Sequence, residues 1–515
     1  MIMKHSIRAG LSLLIGGTAF LQAADISVPR IIDSNTTWTA DNTYFLEGYT
    51  FVVTPQGAGE KTTLTIEPGT VVKGRESTGA NAASLIITRG AMIHAEGTPT
   101  DPIIFTSELD DLNGNLTHED TQLWGGLIIL GSASINSRAD SEIVASPVED
   151  QVEGLETSGT EAGYSTFGGT NDEDNSGVIR YVSIRHGGAV IGGDNEINGL
   201  TMGGVGRGTT VEFVEVFANK DDAFEWFGGT VNARYLIAAY GNDDSFDYDQ
   251  GWRGKGQFWF TIGTDIGSDR MDKGGEHDGA TAPLDAAPFG NTTVYNATFI
   301  GIGGSGQGGA NVAFNIRDNA SARYYNSVFL NFEKMIDIEN DNETRFNAGD
   351  IDFRSNVWWS HNSANNNAAG FNARPAGAVD STIFWTDASR NNLIADPQLG
   401  GISYTNDGGL NPLPTAGSPA LSIDLHAYPE GDSFYKHVGV AGAFEPEYNW
   451  MANWTKLHRD GYLEIGETWI NHPQLGWIYT YGGGLQDYSW IWMHKMNSWA
   501  FYYTNPGGFA IIGVL

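Results

Sequence analysis

The sequence predicts an all-β solenoid of short parallel strands, and three observations predict it. The first is composition. The 515 residues include 68 Gly and 17 Pro, and only 17% are charged, a turn-rich balance rather than a helical one. The second is patterning. Runs rich in Val, Ile, Thr and aromatic residues, each bounded by Gly, Asn, Asp or Pro, recur from "TTLTIEPGTVVKG" to "FRSNVWWSHN". The third is repetition in phase. "NKDDAFEWFGG" (219–229) returns as "GNDDSFDYDQG" (241–251), with Asp221 and Asp243, Phe224 and Phe246, and Glu225 and Asp247 each 22 residues apart. Phe213 and Tyr235 are also 22 apart, Leu64 and Leu85 are 21 apart, and "YNATF" (295–299) returns 30 residues on as "YNSVF" (325–329). A period near 22 with variable insertions fits a coil of three short strands and three turns. Stacked coils then place parallel strands about 4.8 Å apart.

The chain ends differ from this middle. Lys4, His5 and Arg8 precede the apolar stretch "AGLSLLIGGTAFL", and small residues follow at Ala23 and Ala24. This reads as a secretory signal over residues 1–24, which places the mature protein in the secreted or cell-surface compartment. No other run approaches the roughly 18 apolar residues that a membrane helix needs, so membrane insertion is not expected. There is no cysteine, which excludes a disulfide framework, a thiol nucleophile, a zinc–thiolate site and a cysteine-linked lipid anchor. The formal net charge of −34 argues against nucleic acid as a partner and fits cations, basic partners or simple solubility.

Several of these stretches carry a resemblance. "LTIEPGTVVKG", "GAMIHAEGTPTDPIIFTS" and "WGGLIILGSASIN" resemble the early coils of secreted bacterial right-handed parallel β-helix (pectin-lyase-like) proteins. They are similar to uncharacterised surface β-helix proteins, including those of the leptospiral surface-lipoprotein type, although the lipidated cysteine of a lipoprotein is missing here. "ADPQLGG" through "LNPLPTAGSPAL" resembles the closing coil of such proteins. The expected organisation is a signal peptide (1–24), a right-handed parallel β-helix solenoid (25–447) and a small aromatic β-hairpin repeat module (448–515), with 448–457 as linker. Seven of the fifteen Trp fall in that last module, where "NHPQLGWIYT" aligns with "MHKMNSWAFY". The module is similar to short tryptophan–tyrosine repeats of bacterial wall-binding modules. Trp477, Tyr479, Trp492, Trp499 and Tyr502 are its candidate ligand-binding residues, with burial in the module's own core as the alternative.

The repeated acidic stretch is the candidate site. Strand alternation puts Phe224 and Phe246 inward and sends Asp221, Glu225, Asp243 and Asp247 outward, with Asp222 assigned to a turn. Adding 22 again reaches Asp265 and Asp269. Stacked like charges repel, and three arrangements offset that. The row could hold a hard cation such as Ca²⁺, which takes six to eight oxygens. It could pair with local Lys and Arg, or cap backbone N–H groups at turns. The metal candidates are therefore Asp221, Glu225, Asp243, Asp247, Asp265 and Asp269. Polysaccharide hydrolases on this fold use several Asp, a Gly-His-Gly and an Arg-x-Lys. This chain offers Asp222, Asp244, Arg253 (in Arg-Gly-Lys) and His277, but no Gly-His-Gly. "RHGG" at 185–188 reads as a structured turn. Three functions remain: a surface protein binding a polysaccharide or cell-envelope component through an acidic, Ca²⁺-loaded face; a polysaccharide lyase or hydrolase acting in the 221–278 groove; and a structural spacer.

Overall fold

The computed structural model describes residues 24–464, apart from 77–78, 80–81, 139–145, 153–154, 156, 193–194, 264–270, 281, 304–311 and 447; beyond 464 it gives the backbone of five strands between 468 and 514. Residues 1–23 of the expected signal peptide and the side chains of Trp477, Tyr479, Trp492, Trp499 and Tyr502 lie outside the described residues, whereas Ala24 opens a strand paired with Asn42–Leu46. Among the described residues no helix is long and apolar enough to cross a membrane.

The chain winds into coils whose strands pair in parallel with the equivalent strands of the next coil. Ten of them form one sheet. Seven of those strands position the site: β1 (Leu127–Leu130), β2 (Leu200–Gly203), β3 (Phe224–Phe227), β4 (Phe246–Asp249), β5 (Lys273–Asp278), β6 (Val312–Arg317) and β7 (Lys334–Ile338). The register places Phe224 on Phe246 and Glu225 on Asp247, as the 22-residue repeat requires. A second parallel sheet of eighteen strand segments forms the other walls. Its longer strands bend at one left-handed residue per coil: Tyr181, Phe213, Tyr235, Phe258, Asn296, Asn326 and Ser355 all have φ between 50° and 59°. That conformation costs a non-glycine residue about 1 kcal/mol or more, and stacking of the corner residues offsets it. Tyr181, Phe213 and Tyr235 lie ring on ring at 4.4 and 4.2 Å.

Phe213 and Tyr235 are thus in phase, but at an outer corner, not in the core. Tyr295 pairs with Tyr325 and Phe299 with Phe329, as their repeat predicts. Leu64 and Leu85 are not equivalent: Leu64 pairs with Ile93 and Leu85 with Leu127, on different sheets. Turns of unequal length break a fixed period wherever an insertion falls between strands.

The interior is a set of stacked side-chain columns. Phe224 stacks on Phe246 at 5.5 Å and Trp226 on Trp259 at 5.3 Å. Tyr248 stacks on His277 at 3.9 Å. These rings are buried and contribute both apolar burial and offset stacking worth about 0.5–1.5 kcal/mol per pair.

The last parallel pairing of the solenoid joins Val357–Trp359 to Leu393–Ile394. The chain then returns along the outside of the corner. The segment read as a linker is buried there. Trp450 meets Tyr235 edge-on at 5.3 Å, and Trp454 meets Tyr181 at 5.7 Å. A short helix (Lys456–Arg459) sets its Lys456 and Leu457 N–H groups on the fully buried Glu215 carboxylate, at 2.7 and 3.2 Å. The strands beyond 468 form a five-stranded antiparallel meander, with Tyr479 opposite Trp492 and Trp492 opposite Trp499 in register.

Candidate functional site

Three consecutive strands build the site. On β3, β4 and β5 the outward position next to the core column carries Glu225, Asp247 and Glu276 in one row. The turn before β3 adds Asp221 and Asp222, and the turn before β4 adds Asp243 and Asp244. With Glu196, all eight carboxylates line one cavity of about 290 Å³. Its other wall is apolar, made by Ile128, Val152, Ile191, Ile197 and Phe227.

The 22-residue arithmetic does not extend to a third coil. Asp247 pairs with Glu276, 29 residues on, so Glu276 takes the next place in its row. Asp272, whose N–H bonds the Asp243 carbonyl at 3.2 Å, follows Asp243 in place of Asp265. Asp265 and Asp269 themselves lie outside the described residues. Glu276 and Asp272 were missed because the insertion before β5 shifts the frame. The matching signal was the aromatic-like His277, which continues the inward column below Tyr248.

Asp222 was read as a turn residue, and it is one: its Oδ1 accepts the Asp244 N–H at 3.0 Å. It nevertheless belongs to the acid cluster. One carboxylate oxygen from each of Asp222, Glu225 and Asp247 lies within 4.8 Å of the other two. The same holds for Asp221, Asp222 and Asp243; for Asp243, Asp244 and Asp272; and for Asp244, Asp247 and Glu276. Two unit charges that far apart repel by roughly 3–4 kcal/mol at an effective dielectric near 20.

Positive charge is scarce among the described residues around the cavity. Lys273 Nζ is 3.0 Å from Glu276, 3.4 Å from Asp244 and also bonds Asp272. Arg317 bonds Glu276 at 2.9 Å but is chiefly held by Asp278. Lys220 draws Asp221 and Asp243 downward from one edge. Asn198 donates to Glu225, and Asn315 donates to Glu276 at 3.1 Å. Asp244 Oδ1 and Asp247 Oδ1 are buried and accept no hydrogen bond from the described residues, on side chains of residues only 2% and 9% exposed.

The protonation equilibria follow. Burial, then the Asp243 charge, pushes Asp221 up to about 7. Burial lifts Asp222, Glu225 and Asp247 well above the carboxylate range, with Asp247, Asp222 and Glu225 respectively as the largest neighbouring charges. Asp244 is lifted likewise by burial, against the pull of Lys273.

The residues considered for catalysis do not converge. Asp222 and Asp244 line the cavity. Arg253 points elsewhere, bonding both Asp172 oxygens at 3.0 and 3.1 Å. Its Arg-Gly-Lys made it a candidate and lies between the acidic coils in sequence, but the turn after β4 carries Arg253 to Asp172 instead. His277 is inward, sandwiched between Tyr248 and Tyr324, with its Nε2 2.9 Å from the Tyr324 hydroxyl. Burial depresses its pKa to about 3, so it stays neutral. In "RHGG", His186 sits at a left-handed turn with Nδ1 2.6 Å from the Asp120 carbonyl, the structured turn expected.

The donor set is all oxygen, dense and partly unsatisfied. Hard cations prefer such a set; six to eight carboxylate, carbonyl and water oxygens suit Ca²⁺. Fold and site together define a parallel β-helix with an acid-floored cavity on its ten-stranded sheet. The chain belongs to the family described as pectate-lyase like beta helix domain, which matches residues 30–389. No curated protein and no solved structure matches the chain significantly.

Proposed function

We propose that this is an exported or cell-surface binding protein that holds an acidic polysaccharide through hard cations, Ca²⁺ first among them, seated on the acid row. The observation that carries the reading is the pair Asp244 and Asp247. Each buries a carboxylate oxygen without a donor among the described residues, inside a cluster whose negative charge exceeds the positive charge those residues bring to it. An orphaned buried carboxylate is costly unless it is protonated or metal-bound. Asp222, Glu225, Asp244, Asp247 and Glu276 would hold the cations, which when bound supply positive charge for a ligand's carboxylates. The apolar wall would take the C–H face of a sugar ring. Membership of a pectate-lyase like family supports carbohydrate as the ligand class.

The second reading is a polysaccharide lyase or hydrolase. It is favoured by two raised carboxyls, Asp222 and Asp244, in one cavity. Arg253 held by Asp172 and His277 buried against Tyr248 and Tyr324 weigh against the residue set considered for it. A plain spacer leaves the buried charge unexplained. The test incubates the protein with acidic and neutral polysaccharides, with Ca²⁺ or with chelator, and measures both retention and product. Ca²⁺-dependent retention of acidic polymers without new chain ends is expected. Unsaturated or reducing ends would establish the enzyme reading instead.

A further inference from the structure

The acid row is closed at one end. Traced back along the solenoid axis, the outward column of Glu276, Asp247 and Glu225 continues through Thr201 to Ile128 and Ile86. Those three residues are buried. An insertion folds over them: a hairpin pairs Glu149–Gln151 with Thr166–Gly168, and its Phe167 lies on the sheet's outer face above Gly203. A Cβ at Gly203 would stand 2.6 Å from the Phe167 ring, so the glycine is what lets the hairpin sit so close. Phe167 also reaches Phe227 at 5.9 Å, and Gln250 beyond β4 donates to Asp150 at 2.8 Å. Leu155 and Ile191 complete this small second core. The half-buried Asp221, Asp243 and Glu196 mark the solvent side of the cavity.

A polymer lying along a groove needs both ends open. Here the axis of the acid row runs into an apolar wall, and the cavity is at the lower limit of small-ligand pockets, about 300–1,000 Å³. We propose that the site captures the terminal residue of an acidic polysaccharide chain, not an internal stretch. The terminal sugar's carboxylate faces the cation-loaded row, its ring rests against Val152 and Ile197, and the remaining chain leaves past Asp221 and Asp243. This inference rests on the cation-mediated binding proposed above.

The test uses polygalacturonate of two well-separated lengths, in Ca²⁺ and in chelator, and measures the mass of the complexes by light scattering. The expected result is one bound protein per binding chain end at both lengths, with trigalacturonate competing fully. If the number of bound proteins grows with chain length in Ca²⁺, terminal capture is overturned while cation-mediated binding stands. If neither length binds in a Ca²⁺-dependent way, the binding reading fails and this inference with it. A second variant keeps the question sharp. Val152→Trp fills the wall from a half-exposed position and should weaken trigalacturonate binding by about tenfold or more, while leaving the Ca²⁺-induced rise in melting temperature intact. Unchanged trigalacturonate binding in that variant would also overturn the proposal.

Discussion

Glu225 and Asp247 occupy the same outward position on neighbouring parallel strands, one directly above the other, with Phe224 on Phe246 fixing the register beneath them. The core that aligns the aromatic rings therefore forces the carboxylates together. Neither acid can move away without slipping the sheet by a residue, which would turn Phe224 and Trp226 outward. The repulsion is built into the fold, and Lys273, Arg317 and Lys220 are the described cations that offset part of it.

Stability without divalent ions should fall as pH rises. Asp221 in the folded protein titrates at about 7, above the ordinary carboxyl value of 3.8, and its buried neighbours are raised too. A carboxyl with a raised folded pKa contributes stability that is fully present below its unfolded pKa and lost as pH rises through the folded one. In chelator, the melting temperature should decline between about pH 4 and pH 7. Scanning calorimetry across that window checks it, and a rising curve would contradict the raised values.

The effect of neutralising Asp244 or Asp247 should change sign with conditions. Asp247→Asn and Asp244→Asn each remove a buried charge, so in chelator at neutral pH they should raise stability by roughly 1–3 kcal/mol. In saturating Ca²⁺ the same variants should be less stable than the parent protein. Paired denaturant titrations measure both signs.

Lys273→Met should be the opposite case. Its ammonium bonds Asp244, Asp272 and Glu276. Removing one partner of a buried ion cluster typically costs about 3–5 kcal/mol. The loss should be large in chelator and smaller in Ca²⁺, because a bound cation compensates the same carboxylates.

His277 should prove structural. Replacement by Phe preserves the stack on Tyr248 but leaves the buried Tyr324 hydroxyl without its partner, at a cost of about 1–3 kcal/mol. Ca²⁺ affinity should be unchanged. A loss of Ca²⁺ binding with the fold intact would place His277 in the site after all.

The returning segment should be part of the solenoid's stability. Trp454→Ala uncovers the Tyr181–Phe213 stack and should cost about 3–5 kcal/mol. A chain ending at Glu464 should stay soluble and melt cooperatively. One ending at residue 447 should expose the aromatic corner and aggregate, which size-exclusion chromatography would reveal.

The sequence carried much of this in one place. The 22-residue repeat gave the register of β3 on β4, the inward rings and the outward acids, because no insertion interrupts those coils. It failed one coil later, where the spacing lengthens from 22 to 29 residues and Glu276 takes the place next to Asp247. Asp222 is the turn residue expected, since the strand begins only at Phe224, but its place among the acids was not legible, because a turn assignment does not say which way the side chain points. Phe213 and Tyr235 kept their spacing but sat at an outer corner, since periodicity reports equivalence between coils and not which face is buried. The covering hairpin was illegible, because its contacts with Gly203 and Phe227 join segments from different coils.

The central claim, that the acid row is a cation site, is tested most directly by melting the protein at neutral pH in Ca²⁺ and in chelator. A bound ion at a hundred times its dissociation constant stabilises by roughly 2.7 kcal/mol per site. A melting temperature that rises with Ca²⁺ concentration, and does so far less in Asp244→Asn and Asp247→Asn, is the predicted result. Identical melting in Ca²⁺ and in chelator would contradict the account.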